Sequence, residues 1–159
     1  MNFYLDTSAL AKLFFQEEGT DRVAEMVFDL SNVIWILDLA KIEFRSALFR
    51  RYRAGELNDE MLHFALDGFE KQLKRFRIEP ITSSLITEAD ILLHRYGKTE
   101  GLRALDALQL GGFTLIAEKD DWCFVSADRT LCHVAQLAEY AAINPSVSLP
   151  FSSANILDN

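Results

Sequence analysis

Cysteine, proline and glycine are all scarce, at 2, 3 and 7 residues in a chain of 159. Two cysteines, Cys123 and Cys132, cannot build a disulfide framework and fit a reducing compartment. So little glycine and proline excludes collagen-like, linker-rich and disordered chains. Long apolar runs are missing too: the longest, such as Val33–Leu37, holds five residues, whereas a bilayer span needs roughly 20. The N-terminus has no basic lead-in and Asp6 interrupts its apolar stretch, so it does not read as a secretory signal. These absences describe a chain expected to be soluble and cytoplasmic, with no membrane attachment. What is plentiful is apolar side chain. It makes up 50% of the residues, with 12 Phe, enough to fill the core of one domain without staples.

Positive charge is also in short supply. Sixteen Lys and Arg face 24 Asp and Glu, a net charge of −8. That balance alone argues against a nucleic-acid partner. The distribution is uneven, however. Between Lys41 and Arg77 lie nine basic and six acidic side chains, a local excess of +3, and the rest of the chain sums to −11. Arg45, Arg50, Arg51 and Arg53 share one helical stretch, and Lys71, Lys74, Arg75 and Arg77 follow another. Such cations steer phosphates or simply solvate helix faces, and Glu70 is placed to pair with Lys74 one turn along.

Strand-like and helix-like patterns alternate. Apolar, β-rich runs at residues 2–5, 33–37, 76–80 and 123–126 read as strands, with a short last one at 141–144. A helix-start signal stands at Asp6-Thr7-Ser8. Helical periodicity covers 20–30, with Val23, Val27 and Leu30 on the apolar side, and then 40–53. Asn58 opens another helix, whose apolar stripe is Leu62, Ala65, Leu66, Phe69 and Leu73. Further helices cover 82–96, stopping at Gly97; 104–117, despite Gly111-Gly112; and Asp128 to Tyr140. This alternation predicts an α/β fold of three layers, α/β/α, with a mainly parallel sheet of four to five strands. Residues 1–144 are expected to form one domain, with 145–159 a tail of no assigned role.

In an open parallel sheet, ligands gather beyond the carboxyl ends of the strands, near the point where strand order reverses. Asp6, Asp38 and Asp128 follow predicted strands. Asp6 and Asp128 are also well placed as helix N-caps, and Asp38 reads as a cap alone. Two helical acids join the set. Asp106 sits among small and apolar residues with Arg103 three positions earlier, a surface pairing of roughly 0.3–0.5 kcal/mol. Glu43 has Leu39, Ala40, Ser46 and Ala47 as its helical neighbours, so no cation on its own helix can pair with it. Such a carboxylate is costly unless it is solvated or bound to a cation. If such acids converged they would raise one another's pKa values, and the cluster would then make sense mainly as a metal site. Hard oxygen donors around an open pocket suit Mg²⁺. Zinc is not indicated: Cys123, Cys132 and His133 lack paired ligand spacing, and His63 and His94 stand alone.

Four segments carry a family resemblance: Leu5-Asp-Thr-Ser-Ala-Leu10, Glu43-Phe-Arg-Ser-Ala-Leu48, Leu105-Asp-Ala-Leu108 and Phe124-Val-Ser-Ala-Asp-Arg-Thr-Leu131. In order and spacing they resemble the motifs of PIN-domain ribonucleases, and most of all the VapC-type toxins of prokaryotic toxin–antitoxin pairs. The resemblance implies a parallel sheet with helices on both faces. It also implies RNA cleavage dependent on one or two Mg²⁺ or Mn²⁺ ions, with Asp6, Glu43, Asp106 and Asp128 as the catalytic and metal-binding acids. Ser8 and Ser126 match hydroxyl-bearing positions near the metals, and Arg45, Arg50 and Arg51 are the candidate RNA contacts. The implied partners are an RNA substrate, a cognate antitoxin and a second copy of the chain in a homodimer. Phe44, Leu48 and Phe49, with Leu62, Leu66 and Phe69, are expected either to pack in the core or to leave a groove for an antitoxin helix. Two other readings stand beside this one: a PIN-fold binding module without catalysis, and an aspartate-nucleophile phosphatase. The phosphatase reading would want a second acid two residues after Asp6, where Ser8 stands.

Overall fold

Among the described residues five short strands pair side by side without a hairpin: β1 (Asn2–Leu5), β2 (Val33–Leu37), β3 (Arg77–Glu79), β4 (Trp122–Val125) and β5 (Ala142–Ile143). In the computed structural model, which describes residues 1–118 and 120–147, they form one sheet in the order β3-β2-β1-β4-β5. Every pairing is parallel, and Asn2 of the central β1 stands opposite both Val33 and Trp122. Parallel neighbours need crossovers, which helices supply. Helices α1 (Thr7–Ala11) and α2 (Thr20–Phe28) lead to β2; α3 (Leu39–Arg53) and α4 (Asp59–Leu73) lead to β3. Helices α5 (Ser83–Glu100) and α6 (Ala104–Ile116) lead to β4, and α7 (Arg129–Leu137) to β5. Among the described residues no helix is long and apolar enough to cross a membrane.

Side chains alternate across a strand, so β1 feeds two cores. Phe3 and Leu5 join Ile36, Phe44, Leu48 and Phe69 on the side of α1 to α4. Tyr4 joins Leu37, Leu110, Phe113 and Phe124 on the side of α5 to α7. The three layers and the parallel sheet are as the alternating pattern predicts. The chain leaves β1 towards β2 and β3, then returns to β4 on β1's other side, so strand order reverses between β1 and β4. Their carboxyl ends lead into Asp6 and into Ser126-Ala127-Asp128.

Two expected details differ. Helix α5 runs through Gly97 and ends at Gly101, whose φ of 73° lies in the left-handed region that glycine tolerates best. Leu30 falls beyond the end of α2 and is 88% exposed, whereas Val23 and Val27 are buried. Of the two outcomes expected for the apolar residues of α3 and α4, core packing is the one found for most of them: the Phe44 and Phe69 rings lie with centroids 4.2 Å apart and Leu48 and Leu62 are buried beside them, while Phe49 is exposed. The reading of 145–159 as a tail lies outside the described residues from position 148 onward. Before that point Ser146 Oγ donates to Glu18 O at 3.2 Å and Arg22 donates to Val147 O at 2.8 Å.

Gly111 and Gly112 sit inside α6 because two neighbours need the space. A Cβ on Gly111 would come within 3.3 Å of Ala89 N in α5, and one on Gly112 would collide with the Tyr4 hydroxyl and reach 3.0 Å from Leu37 Cδ1. Gly112→Ala should therefore destabilise by about 1–3 kcal/mol through overpacking, despite the better helix propensity of Ala. The Tyr4 hydroxyl is buried without a hydrogen-bond partner, so Tyr4→Phe should recover much of that loss. Thermal melts of the single and double variants check this; equal losses with and without Tyr4→Phe would contradict it.

Candidate active site

Asp6 stands where β1 gives way to α1. Its extended backbone (φ −72°, ψ 171°) lets the carboxylate cap the helix, accepting from Ala9 N at 2.8 Å. Ser8 Oγ lies 2.8 and 2.9 Å from the two carboxylate oxygens, and Ser126 Oγ donates to Oδ2 at 2.8 Å. The same hydroxyls accept backbone N–H groups, Ala127 on Ser8 at 2.8 Å and Asp128 on Ser126 at 3.0 Å. The ends of β1 and β4 are thus stitched together around one carboxylate that is only 5% exposed. Burial pushes the Asp6 carboxyl up to about 6; its three hydrogen bonds pull it down and the charge of Glu43 adds to the rise.

Glu43 projects from α3 and its partners are neutral. Thr7 Oγ1 donates to its Oε2 at 2.5 Å and Gln109 Nε2 donates to the same oxygen at 2.6 Å. Asp128 caps α7 by accepting from Leu131 N at 3.1 Å. Asp106, in the first turn of α6, takes Arg103 Nε at 2.8 Å, the i−3 pairing that its sequence neighbourhood offers. The guanidinium of Arg103 reaches on to Asp128, with Nη2 to Oδ2 at 3.8 Å. Asp38 behaves otherwise. Its backbone is already helical, so its side chain cannot cap α3 and pairs with Lys41 at 2.5 Å instead. The acids fall into two sets of contacts. Asp6 is linked through Ser126 to the backbone of Asp128 and Arg103 joins Asp128 to Asp106, while Glu43 is held by Thr7, the residue after Asp6, and by Gln109, one turn along α6 from Asp106.

Among the described residues no three His, Cys, Asp or Glu side chains stand close enough to share one ion. The chemistry of the donors nevertheless fits a hard divalent cation. The side chains of Asp6, Ser8, Ser126 and Asp128 at the two strand ends offer only oxygen, and Arg103, with a side chain 75% exposed, supplies positive charge between two of the acids. Burial makes ionised Asp6 costly and pushes its carboxyl up, and a cation beside it would offset that cost. Softer ligands are not offered. Cys123 is pushed up to about 11 and Cys132 to about 12, both mainly by burial, so the thiolates that zinc would need are disfavoured.

The candidate RNA contacts are largely engaged within the protein. Arg45 pairs with Glu70 while its guanidinium lies over the Phe69 ring, so Glu70 takes Arg45 rather than Lys74. Arg51 lies 3.9 Å over the Phe15 ring and 3.8 Å from Glu17. Arg50 is exposed at the end of α3. Sequence reasoning missed Thr7 and Gln109 as functional groups. The available signal was Gln109 itself, a polar residue between Leu108 and Leu110, three positions after Asp106.

A five-strand parallel sheet with helices on both faces, its strand order reversing between β1 and β4, defines a three-layer α/β fold. The family described as PIN domain matches residues 3–137; the chain belongs to the PIN domain family. No curated protein matches it. Among solved structures, FitAcB from Neisseria gonorrhoeae is similar at 18% identity, covering 90% of this chain and 97% of that one, with a TM-score of 0.64. VapC20 of Mycobacterium tuberculosis, a sarcin–ricin-loop-cleaving toxin, is similar at 16% identity, covering 87% and 96%, with a TM-score of 0.64. VapBC2 from Rickettsia felis, bound to a DNA fragment from its promoter, is similar at 14% identity, covering 90% and 98%, with a TM-score of 0.60. At such identities the likeness is one of fold.

Proposed function

We propose that this chain is a divalent-metal-dependent endoribonuclease, the toxin of a toxin–antitoxin pair, with Asp6, Glu43, Asp106 and Asp128 as its metal-binding acids. The observation that carries this reading is the placement of Asp6 and Asp128 at the β1–β4 switch point, joined to each other through Ser126 and to Asp106 through Arg103, with Glu43 held alongside by Thr7, the residue after Asp6. A bound Mg²⁺ or Mn²⁺ would lower the pKa of water and neutralise the charge that develops on a phosphodiester under attack. The protein's own part is to hold the carboxylates in place. Ser8, Ser126 and Ala9 N keep Asp6 in one rotamer, and the helix caps fix Asp6 and Asp128 to rigid elements. A phosphatase using Asp6 as nucleophile is disfavoured, because Ser8 stands where the second acid belongs.

The resemblance to VapC-type toxins supports an antitoxin partner and a homodimer. Exposed Ile42, Phe49, Met61 and Phe64 on α3 and α4, the last 81% exposed, supply apolar surface for contacts of that kind. Cleavage of labelled RNA with Mg²⁺, Mn²⁺ or EDTA tests the catalytic reading. Metal-dependent cutting supports it, and cutting that EDTA leaves untouched overturns it. Arg103 gives a further check. If its guanidinium occupies the charge position between Asp106 and Asp128, Arg103→Gln removes a competitor and should tighten Mn²⁺ binding several-fold. Titration calorimetry reads this directly, and weaker binding in the variant would contradict it.

A further inference from the structure

The two oxygens of Glu43 are treated differently by the protein. Thr7 and Gln109 both donate to Oε2, at 2.5 and 2.6 Å, and Gln109 Nε2 also donates to Thr7 Oγ1 at 3.0 Å. The three side chains close a ring of hydrogen bonds that holds Glu43 by one oxygen and leaves Oε1 to other ligands. Both donors are neutral, so they orient the carboxylate without cancelling its charge; a lysine or arginine in either place would do both.

Gln109 has no packing reason to be glutamine. It is 3% exposed, its neighbours Leu108 and Leu110 are apolar, and its own Oε1 is buried without a hydrogen-bond partner. An unmade hydrogen bond of that kind carries a desolvation penalty that leucine or methionine would avoid. Turning the amide over gives no relief, because it would set the carbonyl oxygen against the Glu43 carboxylate. What glutamine supplies here, and an apolar residue of its size does not, is the Nε2 donor.

We propose that Gln109, backed by Thr7, is the positioning residue of the site: it pins Oε2 of Glu43 so that Oε1 and the full charge of the group are presented to a divalent cation. This rests on the reading of Glu43 as a metal ligand. A ligand already held in one orientation loses less freedom when it takes up an ion, and partners behind a ligand commonly set affinity by about 10–100-fold.

Mn²⁺ titrations of the full chain, followed by electron paramagnetic resonance, test the proposal in wild type, Gln109→Met, Glu43→Gln and the double variant. Gln109→Met should weaken Mn²⁺ binding by about tenfold or more, while its metal-free melting temperature stays level or rises. The double variant should bind no more weakly than Glu43→Gln alone, because Gln109 acts through Glu43. Thr7→Val, which removes the other donor at nearly constant shape, should weaken Mn²⁺ binding in the same direction and serves if Gln109→Met does not fold. Unchanged Mn²⁺ affinity in Gln109→Met or Thr7→Val, or full additivity with Glu43→Gln, overturns the positioning role. The metal-site reading survives that result provided Asp6→Asn still weakens binding. Failure of the wild type to bind Mn²⁺ overturns both.

Discussion

Asp6→Asn should remove RNA cleavage almost entirely, by about 10³-fold or more, the equivalent of roughly 4 kcal/mol of transition-state stabilisation, while making the metal-free protein more stable at neutral pH. The two effects share a cause. In the folded chain the Asp6 carboxyl is raised from 3.8 to about 6, chiefly by burial. Between those values the folded state holds a proton that the unfolded state has released, so stability falls as pH rises from about 4 through about 6. The total loss is on the order of 3 kcal/mol, at about 1.4 kcal/mol per unit. Asparagine never ionises, still accepts from Ala9 N, and caps helices as well as aspartate does. Asp6→Asn should thus resemble wild type near pH 4 and melt several degrees higher above pH 6. Saturating Mn²⁺ should restore the wild type above pH 6 and leave the variant unmoved. Melting curves across pH, with and without Mn²⁺, read all of this. A stability difference between wild type and Asp6→Asn that does not grow between pH 4 and 6 would show that Asp6 is not held as described.

Glu43→Gln carries the second large effect. A glutamine carbonyl can still accept from Thr7 and Gln109, so the fold around α3 should be kept, within about 0.5 kcal/mol of wild type or slightly more stable. The gain, where present, comes from removing a negative charge that raises Asp6. The low-pH inflection of Asp6 should accordingly move down in the variant. Mn²⁺-induced stabilisation and cleavage should both collapse. A variant that damaged the protein generally would lower metal-free stability and activity together, and this one should separate them. Equal Mn²⁺-induced stabilisation in wild type and Glu43→Gln would remove Glu43 from the site.

Local signals made much of the fold legible. The runs that form β1 and β2 are apolar, short and bounded by polar residues, and both strands occupy the predicted residues. Helix ends were harder to read. Gly97 looks like a stop in sequence, yet it lies in the interior of α5, and the left-handed turn falls at Gly101. The Gly111-Gly112 pair looks like a helix breaker until Ala89 and Tyr4 are seen pressing on α6. The same division holds at the site. Asp6 and Asp128 could be read because they follow strands and start helices, which is a local pattern. Thr7 and Gln109 could not, because their roles arise from contacts across 36 and 66 positions of sequence to Glu43. Arg103 was visible as a partner for Asp106, but its reach to Asp128 depends on the return of β4 beside β1.

The central claim is that the acids at the β1–β4 switch point hold the divalent ion that drives RNA cleavage. Single-turnover cleavage of a labelled RNA, measured against Mn²⁺ concentration beside the Mn²⁺-induced rise in melting temperature, tests it most directly in wild type and Asp128→Asn. Asparagine keeps the α7 cap, so the variant should fold as wild type does. The account predicts one shared midpoint for both wild-type curves, no cleavage in EDTA, and loss of both responses in Asp128→Asn. Cleavage that proceeds in EDTA, or an Asp128→Asn variant that cuts RNA at the wild-type rate with the wild-type midpoint, would contradict it.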